Sequence, residues 1–432
     1  GTGISGLVAA RELQKHHDIE VFEAEPRLGG HTHTHDIDVP GRTLAIDTGF
    51  IVFNDRTYPN FRRLLGELGV ADQASDMSFS VHNESTGLEY NGTSLNTLFA
   101  QRRNLLRPRF WGMVRDILRF YREAPSVLEN PDPDLTLGRF LERGRYGRTF
   151  IEDHLVPMGA AVWSARPEVL WEFPMEFLVR FFDNHGFLQV DERPQWRVIA
   201  GGSRSYIEPL TESYADRIRL ATPVVELRRE TTHEGDELVR LRTATGKVAL
   251  FDRVVLACHA DTALRMLSDA TPLEREVLGA FPFQENVAVL HTDRTLLPRR
   301  PLARASWNYH VTNPTTELST VTYWMNLLQG FEAEEDYLVT LNRQDAIDPS
   351  KVLRTLTYHH PIFTRESFAA QARHTEVDGS RGVHFCGAYW GYGFHEDGVR
   401  SGLAVARNVA RNSGTDAPEV LEVQRPARAA KS

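Results

Sequence analysis

Apolar positions along this chain change period several times, and the changes predict its elements. Leu7-Val8-Ala9-Ala10-Arg11-Glu12-Leu13 reads as a helix and Ile19-Glu20-Val21-Phe22 as a buried strand. Leu44 to Ile51 is a strand running into a glycine turn. A helix is predicted from Tyr58 to Gly69, and Met77 to Thr93 alternates like a hairpin with its turn at Asn83-Glu84-Ser85. Residues 98–185 read as a helical insertion, in which Phe110, Trp111, Met113, Val114, Ile117, Leu118 and Tyr121 mark one apolar stripe. Further helices are expected over 140–161, 167–185 and 206–214. Alternation returns at Arg217 to Leu220, ended by Pro223, and in a hairpin of 239–241 with 247–250 across Thr245-Gly246. A buried strand spans 251–259, and others are expected at 286–291, 307–310 and 322–326. Gly382 to Gly402 reads as a strand, an aromatic glycine loop and a helix start, and residues 412–432 as a disordered tail.

A chain of 432 residues exceeds one compact core, so two domains are expected. The boundaries that fit the pattern assign 1–75, 196–272 and 375–411 to one domain and 76–195 with 273–374 to the other. A formal charge of −9 offers no basic face to a nucleic acid, which is not expected as a partner. Cys258 and Cys386 are far apart and lack zinc spacing, so both read as buried thiols. No run of 18 apolar residues suggests a membrane span, and no signal peptide is visible; a cytoplasmic location is expected.

Candidate chemistry begins at the first residue. Gly1-Thr2-Gly3-Ile4-Ser5-Gly6 is a G-x-G-x-x-G loop leading into a helix, with the acid Glu23 after the next strand. Backbone NH groups at a helix start bind a pyrophosphate when no Cβ intervenes, and an acid at that distance suits a ribose hydroxyl. A strand should precede such a loop, so apolar residues are expected upstream of Gly1. His31, His33 and His35 alternate, so a strand would point all three to one side. A metal site, a covalent link to a cofactor, polar lining of a cofactor pocket and a plain surface strand are the readings open for them; the first lacks a completing carboxylate or cysteine cluster, and no metal is assigned.

Glu23-Ala24-Glu25-Pro26-Arg27-Leu28-Gly29-Gly30 resembles the E-A-x-x-R-x-G-G stretch of the flavin-containing amine oxidase superfamily. The resemblance implies FAD and an α/β fold: a discontinuous Rossmann-like FAD-binding domain plus a mixed sheet-and-helix substrate domain. Glu23, Ala24, Arg27, Gly29 and Gly30 match the cofactor motif, with Arg27 suited to phosphate or to fixing the loop. His31 stands where arginine is common. The resemblance further places Thr48, Gly49 and Phe50 beside the flavin ring, Val224 at the adenine end, and Cys258 in the strand that closes on FAD. In the closing loop Gly387, Ala388, Phe394, Gly398 and Val399 match cofactor positions, Ala388 replacing an acid, and backbone NH groups at Gly398 and Val399 would face the reduced flavin.

The strand Asn286 to His291, where amine oxidases commonly carry a lysine, has none; the four lysines are Lys15, Lys247, Lys351 and Lys431. The chain is similar to a bacterial branch of NAD/FAD-binding proteins with links to lipid chemistry. Desaturation or isomerisation of an apolar, fatty-acyl-type small molecule is therefore expected, with His395, Glu396 or Tyr392 moving the proton. Amine oxidation, with Phe394 and Trp390 flanking the amine, is the alternative, and non-catalytic flavin binding a second. Glu396 has an equally open role as a helix cap. The arginines around the stripe (Arg102, Arg103, Arg107, Arg109, Arg115, Arg119, Arg122) suit either an interfacial helix on an anionic membrane or a helix packed inward with solvated charges outside. Nothing in the sequence sets the oligomeric state.

Overall fold

The computed structural model describes residues 1–191, 193–235, 237–313 and 317–422. Two short parallel ladders flank the N-terminus: Val21–Phe22 with Ile218–Arg219, and Val254–Leu256 with Val383–Phe385. Gly1 lies between them, its amine donating to the Phe22 carbonyl at 2.8 Å and its Cα facing the Ala257 carbonyl. The helix Ile4–Leu13 starts directly at Gly3 and packs against the last helix, His395–Ser413. An antiparallel sheet of Val224–Thr231, Glu237–Thr243 and Val248–Phe251 completes this half.

The other half is a seven-stranded mixed sheet. Its order is Val352–Pro361, Phe283–His291, Leu338–Leu341, Val321–Trp324, Trp307–Val311, Phe79–Asn83, Leu88–Asn91. Only the pair Trp307–Val311 with Phe79–Asn83 is parallel within it. Helices between 95 and 184 pack on this sheet, and one apolar cluster joins Val81, Phe120, Phe150, Phe181 and Val339.

Several boundaries differ from expectation. Helices Pro272–Gly279 and Arg365–Gln371 pack with Leu227, Leu256 and Phe385 in one apolar cluster. The span 140–161 breaks into Leu137–Arg143 and a run from Arg148, because Gly144 ends the first helix and Arg145 turns left-handed at φ 49°. Pro174 likewise divides Pro167–Glu172 from Met175–Asn184. The last helix runs to Ser413, past the expected tail boundary at 412. Leu421 exchanges hydrogen bonds with Asn60, and Arg63 donates to the Glu419 carbonyl at 2.7 Å, so residues 418–422 are docked. The remainder of that tail, 423–432, lies outside the described residues.

The stripe of helix Pro108–Glu123 divides too. Phe110, Met113 and Phe120 are buried, whereas Trp111 and Leu118 face outward beside Arg115 and Arg122. Among the described residues no helix is long and apolar enough to cross a membrane.

Candidate functional site

The glycine loop is shaped by close approach. A Cβ on Gly1 would overlap the Ala257 carbonyl, and one on Gly6 the Gly1 carbonyl, so both positions require glycine. A Cβ on Gly3 would meet no atom within 4 Å. Gly3 thus presents its backbone, and the start of a helix without a side-chain cap, to open space where a pyrophosphate fits. Ile4 and Ser5 open that helix, and both are buried.

The second glycine pair closes over the first. Gly29 donates its NH to the Thr2 carbonyl at 3.1 Å, and a Cβ on Gly30, whose φ is +57°, would sit 3.1 Å from the Gly3 Cα. Arg27 holds this turn by donating to the carbonyls of Gly30 (2.8 Å), Thr32 (3.3 Å) and Leu28 (3.4 Å). Of its two expected roles, fixing the loop is the one these contacts perform. Glu23 accepts from the Thr2 amide (2.7 Å), the Thr2 hydroxyl (2.6 Å) and the Glu25 amide (2.9 Å). Burial works to raise its pKa, but these hydrogen-bond donors hold it below the usual carboxylate value. Ala24 follows Glu23 on the surface. Val224 begins a strand two residues beyond Thr222, whose NH bonds the Glu23 carbonyl at 2.7 Å. Burial pushes the Cys258 thiol up to about 11, so it is inert at neutral pH.

Histidines gather deeper in the site. Gly49 crosses the His31 carbonyl so closely that a Cβ would overlap it, and Phe50 donates its NH there at 2.7 Å. The His31 ring lies 5.3 Å from Tyr358, 5.5 Å from His360 and 6.2 Å from His259. The strand itself begins only at Thr34, so both His31 and His33 precede it; the His33 and His35 rings nevertheless lie 4.2 Å apart, and Tyr358 and Thr48 tie the three together. The Tyr358 hydroxyl bridges His33 Nδ1 (3.0 Å) and Thr48 Oγ1 (2.7 Å), which also meets His35 Nε2 (3.1 Å). Burial, then neighbouring positive charge, lowers the pKa of His31, His33 and His35, while burial and the neighbouring His259 lower that of His360 to about 4. These imidazoles are neutral at pH 7. Among the described residues no three His, Cys, Asp or Glu are placed to share a metal ion.

His31 Nε2 is buried without a hydrogen-bond partner. An orphaned polar nitrogen beside an open glycine cradle and a ribose-type acid is the set that FAD completes, and these residues fit it. Tyr358, His360, His259 and Asn286 belong to this site but were not singled out by sequence. They lie far from the glycine loop along the chain, and the local signal was the absence of a lysine from the strand region Asn286 to His291.

The closing loop places its residues unevenly. Gly387 donates its NH to Ser401 Oγ at 3.0 Å, and Ala388 lies against Gly398. A Cβ on Gly398 would come 2.6 Å from Ile4, and one on Gly402 would overlap the Ser5 carbonyl, so these glycines allow the two helices to touch. Val399 is buried between them. Phe394 caps the last helix, its NH donating to Asp397 at 3.0 Å, and its ring packs on Phe181 at 5.0 Å.

His395, Glu396 and Tyr392 are not brought together. The His395 ring stacks on Phe50, and Nε2 meets the Tyr206 hydroxyl at 2.8 Å; burial lowers its pKa to about 3. Glu396 takes the amides of Asn60 and Phe61, capping the helix Pro59–Glu67 from a distance. Tyr392 instead joins an aromatic wall, 4.6 Å from Phe177. Trp390 packs on His374 (4.4 Å) and Phe281 (5.0 Å), whereas Phe394 packs with Phe181 in a different cluster.

Comparison with known proteins agrees with this geometry. The fold is shared with cyclohexylamine oxidase from Brevibacterium oxydans IH-35A, at 15% identity and a TM-score of 0.68, covering 96% of this chain and 98% of that one. A CLA-producing fatty acid isomerase from P. acnes matches at 14% identity and a TM-score of 0.65, covering 95% and 97%. A 50-residue stretch is 44% identical to the flavin-dependent L-tryptophan oxidase RebO of Lentzea aerocolonigenes, a match spanning only 11% of either chain. Residues 4–410 match the family described as flavin containing amine oxidoreductase. A glycine cradle, a ribose acid and a match across nearly the whole chain lead to one conclusion: this protein is an FAD-dependent oxidoreductase of the flavin-containing amine oxidoreductase family.

Proposed function

We propose that the enzyme removes hydride from a carbon of an apolar, fatty-acyl-type substrate, either desaturating it or shifting a double bond. The observation that carries this reading is the aromatic wall beside the closing loop. Phe177 contacts Phe368 (3.9 Å), Tyr392 (4.6 Å) and Phe363 (5.5 Å), while Phe181 contacts Phe394 (5.0 Å). Phe177, Phe368, Tyr392 and Phe394 are only partly buried, which leaves part of this wall for an acyl chain to cover. Each methylene laid on such a wall gains about 0.8 kcal/mol.

FAD, when bound, supplies the two-electron acceptor for the hydride. The chain supplies the rest. The wall excludes water and aligns the methylenes, and the Tyr392 hydroxyl is its polar tip. Burial raises that hydroxyl well above its ordinary pKa, so it donates a hydrogen bond more readily than it accepts a proton. A desaturation needs an acceptor for a proton from the adjacent carbon, whereas a double-bond shift in which the removed hydride is returned to a different carbon leaves the hydrogen count unchanged and needs no proton acceptor. Tyr392 therefore favours the shift. His395 and Glu396 act as positioning residues, holding Phe50 and the helix Pro59–Glu67.

Amine oxidation finds less support. Asn286, on the strand where a lysine would be expected, is buried and bonded to His360 Nδ1 at 3.0 Å.

Anaerobic mixing of the flavin-loaded enzyme with unsaturated fatty acids, their esters and a panel of amines tests the reading. Fatty-acyl compounds should bleach the flavin or yield shifted double bonds detectable by mass spectrometry, and Tyr392→Phe should slow them. Bleaching by amines alone would sink the proposal, and no change with any compound would favour a binding-only flavoprotein.

A further inference from the structure

We infer that the outer face of the segment 95–122 docks on an anionic lipid surface. Among the described residues, large exposed apolar side chains concentrate here: Leu95 (77% exposed), Leu105, Leu106 (88%), Trp111 (47%), Leu118 (53%) and, beside them, Leu302. The turn Pro301–Ala303 lies against the helix Leu95–Leu98, and the Trp111 indole NH bonds the Leu105 carbonyl at 2.9 Å, so these side chains form a connected patch. On the helix Pro108–Glu123 and the residue before it, Arg107, Trp111, Arg115, Leu118 and Arg122 recur every three or four residues, on one face. All five are exposed. The opposite face, with Phe110, Met113 and Phe120, already has its partners in the core.

Charge selects the occupant. Residues 95–122 contain seven arginines and one carboxylate, Asp116, in a chain whose formal charge is −9. Asp116 is buried and accepts the Gly147 NH at 2.8 Å; it also lies 3.5 Å from Arg115 and 3.7 Å from Arg119, and Glu123 lies 3.2 Å from Arg122, so these two carboxylates offset only part of the charge of the seven arginines. Arg115 and Arg122 have side chains 75% and 73% exposed. A second copy meeting this face about a twofold axis would set arginine against arginine. An anionic bilayer instead pairs lipid phosphates with the arginines while Leu95 and Leu106 enter the acyl boundary, and the negative remainder of the molecule faces away. This inference is independent of which substrate the flavin site takes.

The test uses the full flavin-loaded chain with vesicles of phosphatidylcholine alone or mixed with phosphatidylglycerol. The protein should co-sediment with the anionic vesicles and be released by salt. Arg115→Glu with Arg122→Glu, and separately Leu95→Ser with Leu106→Ser, should each lower the bound fraction about tenfold or more. Flavin absorbance and melting temperature should not change, since these side chains lie outside the core. Wild-type protein remaining in the supernatant, or variants pelleting as before, would overturn the inference. So would a concentration-dependent dimer that Leu106→Ser dissolves, which would assign the patch to a second copy, or capture by an acidic protein without any binding to vesicles.

Discussion

The Glu396 carboxylate accepts the side-chain amide of Asn60 at 2.6 Å and the Phe61 backbone NH at 2.9 Å, joining residues more than 330 positions apart. Burial raises its pKa from 4.5 to about 7 despite these donors. The folded chain therefore keeps a proton on Glu396 between about pH 4.5 and 7 while the unfolded chain has released it. Stability from this group is full below that window and lost as pH rises through it, by on the order of 3 kcal/mol. Asp47 and Asp397, each raised by burial to about 6, add in the same direction. Urea unfolding from pH 5 to 8 should show Glu396→Gln losing less stability than wild type over this range; parallel curves would contradict the assignment.

Gly3 and Gly6 should respond oppositely to alanine. Gly3→Ala adds a Cβ that meets no protein atom within 4 Å, at a φ of −63° that alanine accepts. Its flavin-free form should melt as wild type does, while FAD affinity falls at least about tenfold because the methyl group occupies the pyrophosphate's approach. Gly6→Ala drives its Cβ into the Gly1 carbonyl and should destabilise the protein with or without FAD. Differential scanning fluorimetry with and without added FAD separates the two.

Gly402→Ala should cost roughly 2–4 kcal/mol, because its Cβ would overlap the Ser5 carbonyl and force apart the two helices that frame the cofactor cradle. A normal denaturation midpoint would show that this crossing is looser than its geometry implies.

Tyr358→Phe removes the hydroxyl that bridges His33 and Thr48, leaving both short of a partner in a half-buried site. A loss of about 1–2 kcal/mol is expected, with a shifted His33 titration in NMR. An unchanged titration would mean the bridge does not govern that imidazole.

Much of the cofactor cradle was legible in the sequence because its parts are local. The loop of Gly1 to Gly6, the acid after the next strand and the pair Gly29-Gly30 act through backbone geometry, which glycine spacing encodes directly. The paired strands at 237–243 and 248–251 were legible because alternation survives wherever one face is buried; the pair at 79–83 and 88–91 was placed by its turn residues, since Leu88–Asn91 is buried on both faces. Tertiary structure decided what short-range pattern does not contain. It drew His259, Tyr358 and His360 onto His31 across hundreds of residues, and it committed Glu396 to a helix start because its carboxylate needed donors once buried. It also turned Trp111 and Leu118 outward, since a helix buries only the arc its neighbours cover, and an apolar stripe wider than that arc leaves its edge in solvent.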